Sequence, residues 1–334
     1  MGNLILNNKL LVILGPTATG KTDLALKLAK EFSGELISAD SRQVYKGLNI
    51  GTGKIPSGIS KYQITIYKKE KYWKINGIKV WMYDLVDARR QYNVYHFVKD
   101  AEKLIEDVYK KGKLPILVGG TGLYIKALID GLNNLNVPIN KSLRRELEKL
   151  SLFQLQKRLQ LTSLERWNSL NYSDKQNPRR LTRSIEIVSM QPSIQSQKSK
   201  YLSKKYNVLK IGLTASRDIL YEKVDQSVNA RLNSGMIEEV RNLNENGLSL
   251  KRMKQLGLEY GILADYISGK ILKEDLAGIL KGKIHGYVRR QLTYFKKEKE
   301  INWFDITESK TLNKIEKLIH FWYDSGKDIY AKKN

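Results

Sequence analysis

Gly15-Pro16-Thr17-Ala18-Thr19-Gly20-Lys21-Thr22 fits the pattern G-x-x-x-x-G-K-[ST], and both of its flanks suit that motif. Before it, Lys9-Leu10-Leu11-Val12-Ile13-Leu14 is a short apolar segment of buried-strand type. After it, residues 23 to 32 carry Leu24, Leu28 and Phe32 at helical spacing. Strand, glycine loop and helix in that order make a phosphate cradle. Backbone N–H groups and the positive helix end face the anion, Lys21 adds a point charge, and the Thr22 hydroxyl is placed to join a Mg²⁺ shell. The motif leaves open whether the cradle holds a nucleotide or another diphosphate.

The chain of 334 residues carries 59 Lys+Arg against 34 Asp+Glu, a formal net charge of +25. Such an excess suits a polyanionic partner, nucleic acid first and anionic membrane second, although a lysine-biased genome also produces it. Cysteine is absent, so disulfides, thiol catalysis and thiolate metal sites are excluded. No apolar run reaches transmembrane length, and residues 1 to 8 lack the basic and long apolar segments of a signal peptide. We therefore expect a cytoplasmic protein with no membrane association.

Outward from the cradle, Glu35 to Asp40 is a second buried strand ending in a carboxylate at the sheet's ligand-binding edge. A loop with Gly and Pro follows over 47 to 58. Residues 62 to 83, rich in Tyr, Trp, Ile and Lys with Asn76-Gly77 at the turn, predict a β-hairpin. Periodicity predicts a helix over 95–111, then a central strand over 113–118. That strand runs into Gly119-Gly120-Thr121-Gly122, a second glycine-rich strand-to-helix turn where backbone amides can approach an anion. From 133 the character changes to helical stretches, 141–150 and 152–161, with no evident long strand. A Pro-led helix over 177–188 bears Arg179, Arg180 and Arg183. Residues 191 to 200 form a polar loop. A strand at 208–213 precedes helices over 218–234, 236–246, 257–267 and 273–297, an edge strand at 303–305 and a last helix over 311–324. The expected fold is α/β: a three-layer parallel-sheet core of P-loop NTPase type with an inserted helical domain and C-terminal helices. Its parts are 1–132, the helical insertion with its returning arginine helix over 133–200, and 201–334.

His96, His285 and His320 have no motif spacing to one another, which leaves carboxylates, hydroxyls and cations to carry the chemistry. Asp40 is the carboxylate best placed beside the P-loop. Arg179, Arg180 and Arg183 can neutralise a leaving phosphate or pyrophosphate. The last long helix combines Lys281, Lys283, Arg289 and Arg290 with Tyr287, Tyr294 and Phe295, cations for a phosphate backbone and aromatics that either stack on bases or pack in the core. From these residues alone, a small-molecule kinase or an RNA-binding protein without catalysis remains an alternative.

Several stretches in order resemble the tRNA dimethylallyltransferase, or tRNA isopentenyltransferase, family over about residues 10 to 305. They are Gly15 to Thr22, Asp40-Ser41-Arg42-Gln43-Val44-Tyr45, Gly51-Thr52-Gly53-Lys54, Gly119 to Tyr124, Asn177-Pro178-Arg179-Arg180-Leu181 with Arg183 and Glu186, and Arg290-Gln291-Leu292-Thr293 before Tyr294-Phe295. The resemblance implies a cradle that holds dimethylallyl diphosphate. The prenyl group would go to N6 of adenosine 37 in the anticodon stem-loop of tRNAs reading codons that begin with U. Asp40 would accept the N6 proton, and Thr121 and Arg180 would stabilise the departing diphosphate. Gly15, Thr17, Ala18, Thr19, Gly20, Lys21 and Thr22 would hold its oxygens, with Mg²⁺ on Thr22 and help from Arg217 and Arg231. Ser41, Gln43, Thr52, Gly119, Gly120, Arg183, Arg290 and Gln291 would contact the substrate, and the enzyme would act as a monomer. The chain departs from the family at Ser227, where an arginine is usual, at Leu258 for Tyr, at Tyr294 for Trp, and in lacking a Pro-His pair before Asp84. Its aromatic hairpin over 62–83 is also atypical.

Overall fold

A computed structural model describes residues 8–54, 63–190 and 202–325. The polar loop at 191–200, and most of the loop segment after Lys54, lie outside the described residues. In chain order the first part contains β1 (Lys9–Leu14), α1 (Lys21–Glu31), β2 (Gly34–Ser38), β3 (Ile64–Tyr67), β4 (Tyr72–Ile75), β5 (Ile78–Trp81), α2 (Val94–Lys110), β6 (Leu114–Gly119) and α3 (Gly122–Ile129). A run of helices follows: α4 (Lys141–Leu147), α5 (Leu152–Thr162), α6 (Leu164–Ser169), α7 (Tyr172–Lys175) and α8 (Pro178–Met190). The chain ends with β7 (Asn207–Thr214), α9 (Arg217–Asn233), α10 (Met236–Glu245), α11 (Leu250–Leu256), α12 (Leu258–Ile267), α13 (Lys273–Phe295), β8 (Ile301–Asp305) and α14 (Thr311–Asp324).

The strands form one sheet in the order β3-β4-β5-β2-β6-β1-β7-β8. From β5 to β8 every pairing is parallel. β1 is buried along its whole length, as a parallel strand covered on both faces must be. Leu11, Ile13, Leu36, Ile116 and Ile211 face α1 and α14 in one core, with Leu28, Phe32, Ile315 and Ile319. Strand alternation turns Val12, Ile37 and Leu117 the other way, the side that α2 and α3 cover with their buried stripes. The sheet is therefore the middle of three layers.

Two elements differ from the sequence reading. The aromatic hairpin is the later part of a three-stranded meander: β3 pairs antiparallel with β4, and β4 with β5 through Asn76 and Gly77, both at positive φ (47° and 83°). Its last strand then joins β2 in parallel and extends the main sheet. The helix α11 is the second difference. With seven residues between the Ser249 cap and Gly257, it is too short to show a clear period.

Residues Met1–Ile129 and Leu202–Asn334 group as one compact unit, and Asp130–Tyr201 as a second. The second unit packs Leu147, Leu155, Leu159, Leu170, Leu181 and Ile185 into its own core. Asn140, Ser151, Ser163 and Asn171 each cap a helix start with a side-chain oxygen. At its centre Glu186 is fully buried. It accepts two bonds of 2.7 Å from Arg144, one from the Asn140 N–H at 3.1 Å and one from Arg183 at 3.3 Å. The other nitrogen of Arg183 donates to the carbonyls of Val137 (2.8 Å) and Asn134 (3.1 Å), so this arginine braces the turn leading into α4. Arg180 is exposed and pairs with Asp174.

Removing the buried carboxylate leaves Arg144 and Arg183 facing each other unneutralised, a loss of about 3 kcal/mol by the scale of broken buried pairs. Glu186→Ala should therefore speed limited proteolysis within 130–201 at least tenfold. Calorimetry should show the sheet-containing unit melting as in the parent chain.

Candidate active site

β1, β6 and β2 are consecutive neighbours, and their carboxyl ends carry the P-loop, the Gly119–Gly122 turn and Asp40. Backbones crowd there. A Cβ on Gly15 (φ 144°) would stand 2.3 Å from the Leu213 carbonyl oxygen, and one on Gly119 would stand 2.3 Å from that of Ala39. Within the loop, Ala18 (φ 66°) and Gly20 (φ 76°) adopt left-handed conformations, the backbone curl that gathers N–H groups around an anion. The Thr19 hydroxyl and the Lys21 ammonium both donate to the Pro16 carbonyl, at 2.9 and 2.5 Å. Burial lowers the Lys21 pKa to about 8, against the opposing pull of the Asp40 charge. Thr22 is partly exposed in the first turn of α1, and its hydroxyl has no hydrogen-bond partner among the described residues. No cluster of three His, Cys, Asp or Glu that could hold a metal occurs among the described residues. A lone hydroxyl fits a Mg²⁺ ion that takes its other ligands from phosphate oxygens and water.

The second glycine turn is fastened to the first by one side chain. Gln291 of α13 is buried; its Oε1 accepts from the Thr17 N–H (3.0 Å) and its Nε2 donates to the Gly120 carbonyl (2.9 Å). Gly120 and Gly122 leave room for it: added Cβ atoms would meet the Gln291 amide at 2.4 Å and the Tyr294 ring at 2.3 Å. Thr121 Oγ1 accepts from the Ser41 N–H at 3.1 Å, which ties the second glycine turn to the end of β2. Asp40 Oδ1 accepts from the N–H groups of Arg42 (2.7 Å) and Gln43 (3.3 Å). Its Oδ2 has no protein partner among the described residues. The Asp40 charge opposes the burial that lowers the Lys21 and Lys54 pKa values and adds to the burial that raises those of Tyr83, Tyr124 and Tyr287.

The loop after Asp40 is held as firmly. Gln43 accepts from Ser38 Oγ (2.8 Å) and reaches the carbonyls of Thr52 and Gly53 at 3.4 and 3.5 Å. The Thr52 hydroxyl donates to the Leu48 carbonyl. Lys54 is fully buried and donates to Asp84 Oδ1 (2.6 Å), the Tyr45 carbonyl (2.8 Å) and Asn49 Oδ1 (3.1 Å). Trp73 Nε1 holds the other oxygen of Asp84 at 2.8 Å. Burial lowers the Lys54 pKa, with Asp84 pulling it back. Glu239 accepts from three successive amides, Asn49, Ile50 and Gly51, and from the Tyr260 hydroxyl. Arg231 donates to the Gly51 carbonyl (2.7 Å), to Glu259 (2.9 Å) and to the Ser227 carbonyl (3.3 Å).

Of the residues expected at the site, the P-loop, Asp40, Ser41, Gln43, Thr52, Gly119, Gly120, Thr121 and Gln291 meet at this edge. Arg231 serves the Gly51 loop, and Arg217 is exposed at the start of α9. Arg290 is exposed with its guanidinium 5.7 Å from the Tyr287 ring centroid. Arg180 and Arg183 belong to the helical unit. Among the C-terminal aromatics Phe295 is core. The histidines have local partners: His96 in the α2 capping box, His285 on Asp225 and His320 on Glu31. Sequence reading missed the roles of Lys54 and Glu239. Lys54 stands in a quoted motif but reads as a surface cation, and nothing local links Glu239 to a loop 188 residues earlier.

A phosphate cradle on the carboxyl edge of a parallel sheet, with a carboxylate two strands away, defines a group-transfer protein of P-loop type. The chain belongs to the family whose model is described as "IPP transferase", which matches residues 43–298; a second model, "Isopentenyl transferase", matches residues 8–66. It is 37% identical over 320 residues to tRNA dimethylallyltransferase 1 of Azobacteroides pseudotrichonymphae, covering 94% of this chain and 98% of that one. The crystal structure of full-length tRNA isopentenylpyrophosphate transferase from Bacillus halodurans superposes with a TM-score of 0.67 at 30% identity, covering 97% of this chain and 99% of that one. A eukaryotic dimethylallyltransferase captured acting on tRNA shares the fold, with a TM-score of 0.72 at 22% identity over 95% of this chain and 79% of that one.

Because Lys21 must be charged to hold an anion, affinity for inorganic diphosphate should fall above about pH 8, approaching tenfold per pH unit. Isothermal titration at pH 7, 8 and 9 checks the slope and should show proton uptake at the upper values. Gln291→Ala strips partners from two backbone groups, at about 1–3 kcal/mol each. It should lower the melting temperature and weaken diphosphate binding together.

Proposed function

We propose that the protein transfers a dimethylallyl group from dimethylallyl diphosphate to N6 of adenosine 37 in tRNA, releasing diphosphate. One observation carries the reading: an anion cradle and a carboxylate with a free oxygen converge on one sheet edge, on either side of the Gly119–Gly122 turn. An adenine amine is a weak nucleophile because its lone pair is delocalised into the ring. Asp40 Oδ2 accepts the proton as charge develops on N6, while Oδ1 keeps the carboxylate fixed through two backbone N–H groups. The C–O bond of the allylic donor breaks as negative charge builds on the diphosphate. Lys21 and the loop amides from Ala18 to Thr22 meet that charge, and Thr121 and Arg180 add to it. Bound Mg²⁺, on Thr22 and the diphosphate oxygens, would supply further neutralisation.

The target base lies in a structured loop, so it must leave its stack to reach Asp40. The tRNAs chosen are those reading codons that begin with U, and the net charge of +25 favours their phosphate backbones. The exposed Arg289 and Arg290 of α13 and the helical unit serve the anticodon stem-loop. The protein acts as a cytoplasmic monomer. No helix among the described residues is long and apolar enough to cross a membrane.

Mass spectrometry of tRNA incubated with dimethylallyl diphosphate should find one five-carbon unit on an adenosine next to the anticodon. Transfer of the γ-phosphate of ATP to any acceptor would instead make the protein a kinase. Asp40→Ala should lower single-turnover prenylation by roughly 10²-fold or more with donor affinity little changed. Thr121→Ala should slow the same step and Thr121→Ser should restore it, since the serine hydroxyl still accepts the Ser41 N–H.

A further inference from the structure

The meander is the feature of the sequence that the reaction leaves unused. Its cross-strand register is Thr65–Lys74–Lys79 in one row and Tyr67–Tyr72–Trp81 in the next, all on one face of the sheet. The opposite face carries Trp73, Ile75 and Val80 into the core. Along the aromatic row, ring centroids lie 4.6 Å apart for Tyr67 and Tyr72 and 5.0 Å apart for Tyr72 and Trp81. Lys79 holds its ammonium 4.7 Å from the Tyr72 centroid, and Lys111, from the turn after α2, stands 5.2 Å from that of Trp81.

This face lies on the side that α2 covers, but α2 packs over β6 and β2, and all three rings of the row keep solvent-accessible surface. Of the two carboxylates whose charge reaches Tyr72, Glu70 of the β3–β4 turn and Glu35, the latter is already neutralised: it binds Lys113 at 2.8 Å and Trp81 Nε1 at 2.7 Å. Between Gln63 and Trp81 the sequence has five lysines and one glutamate. A face that only met water would need no aromatic ladder, and one made for a protein core would not line it with lysines. Aromatic rows on a sheet face with cations beside them are how RNA-binding sheets combine base stacking with phosphate contacts. Lysines resting on rings are held loosely enough to exchange the ring for a phosphate oxygen.

We propose that the outer face of the β3–β5 meander is a second RNA-binding surface, on which Lys74, Lys79 and Lys111 take phosphate oxygens and Tyr67, the open end of the ladder, stacks on an unpaired base. The proposal rests on the tRNA reading above and deepens it. β5 ends at the same sheet edge as β2, with Trp81 paired to Ile37 three residues before Asp40. RNA engaged at Asp40 therefore has the meander's strands one to three strand spacings away.

The test is equilibrium binding of unmodified tRNA, by fluorescence anisotropy without prenyl donor, across a salt series. The triple variant Lys74→Glu/Lys79→Glu/Lys111→Glu should raise Kd at least tenfold at 150 mM salt. It should also reduce the slope of log K against log salt by about 2, as lost phosphate contacts require. Prenylation at saturating tRNA should keep its kcat while KM rises. Because charge reversal can disturb the ladder, Lys79→Gln/Lys111→Gln and, separately, Tyr67→Leu should each raise Kd by about threefold or more. A control with equal charge change on the exposed face of α14, Lys310→Glu/Lys314→Glu/Lys317→Glu, should leave the slope nearly intact. Equal losses in control and meander variants would reduce the effect to net charge and overturn the proposal, as would unchanged binding in all meander variants. Selective loss of binding to phosphatidylserine vesicles, with tRNA binding intact, would assign the face to a membrane and also overturn it. If the parent chain itself fails to bind tRNA, the proposed function falls; if only the variants are silent, the surface alone does.

Discussion

The contact between bare backbones at the carboxyl edge of the sheet sets everything around it. Gly15 lies against the Leu213 carbonyl and Gly119 against that of Ala39, at separations no side chain permits. The two glycine turns can therefore be drawn in to either side of the space before the sheet edge. That closeness lets one buried amide, Gln291, serve both turns: it occupies the Thr17 N–H on one side and the Gly120 carbonyl on the other. Beyond the second turn, the Thr121 hydroxyl accepts from the Ser41 N–H. The P-loop and the Gly119–Gly122 turn are thus joined through Gln291, and that turn is joined through Thr121 to the segment that carries Asp40.

Electrostatics divides the edge into complementary halves. Lys21 is kept close to the point of losing its proton by burial, and the Asp40 carboxylate is what opposes that loss. The ammonium itself rests on the Pro16 carbonyl at 2.5 Å and near the Thr19 hydroxyl at 3.5 Å. Lys54 shows the same opposition, with Asp84 as its direct partner.

Two departures from the family pattern acquire physical content in the structure. Tyr294 packs its ring against Gly122, where there is no room for a Cβ, so an aromatic is retained at a position where size matters more than the indole N–H. Beside Ser227, Arg231 turns back onto the serine's carbonyl and spends its guanidinium on Gly51 and Glu259. Its immediate effect is to steady the loop that follows Asp40, in concert with Glu239 and Tyr260. The atypical aromatic segment also has an architectural use, since its last strand widens the parallel sheet by one position.

By itself the sequence determined the P-loop, the order of strands and helices in the core, the strand-terminal Asp40, the second glycine turn and the arginine helix. Those features are legible because they are local: a glycine spacing, a buried apolar run, a periodic stripe. It also marked the helical insertion by the change from strand to helix patterning. Only the tertiary structure decided that β2, β6 and β1 are neighbours, that Gln291 spans two loops, that Lys54 is buried on Asp84, and that Glu239 holds three amides of a distant loop. Strand order and these pairings depend on long-range packing, where a single side chain meets partners up to 316 residues away. No periodicity within a segment records which remote backbone group its polar atoms will find.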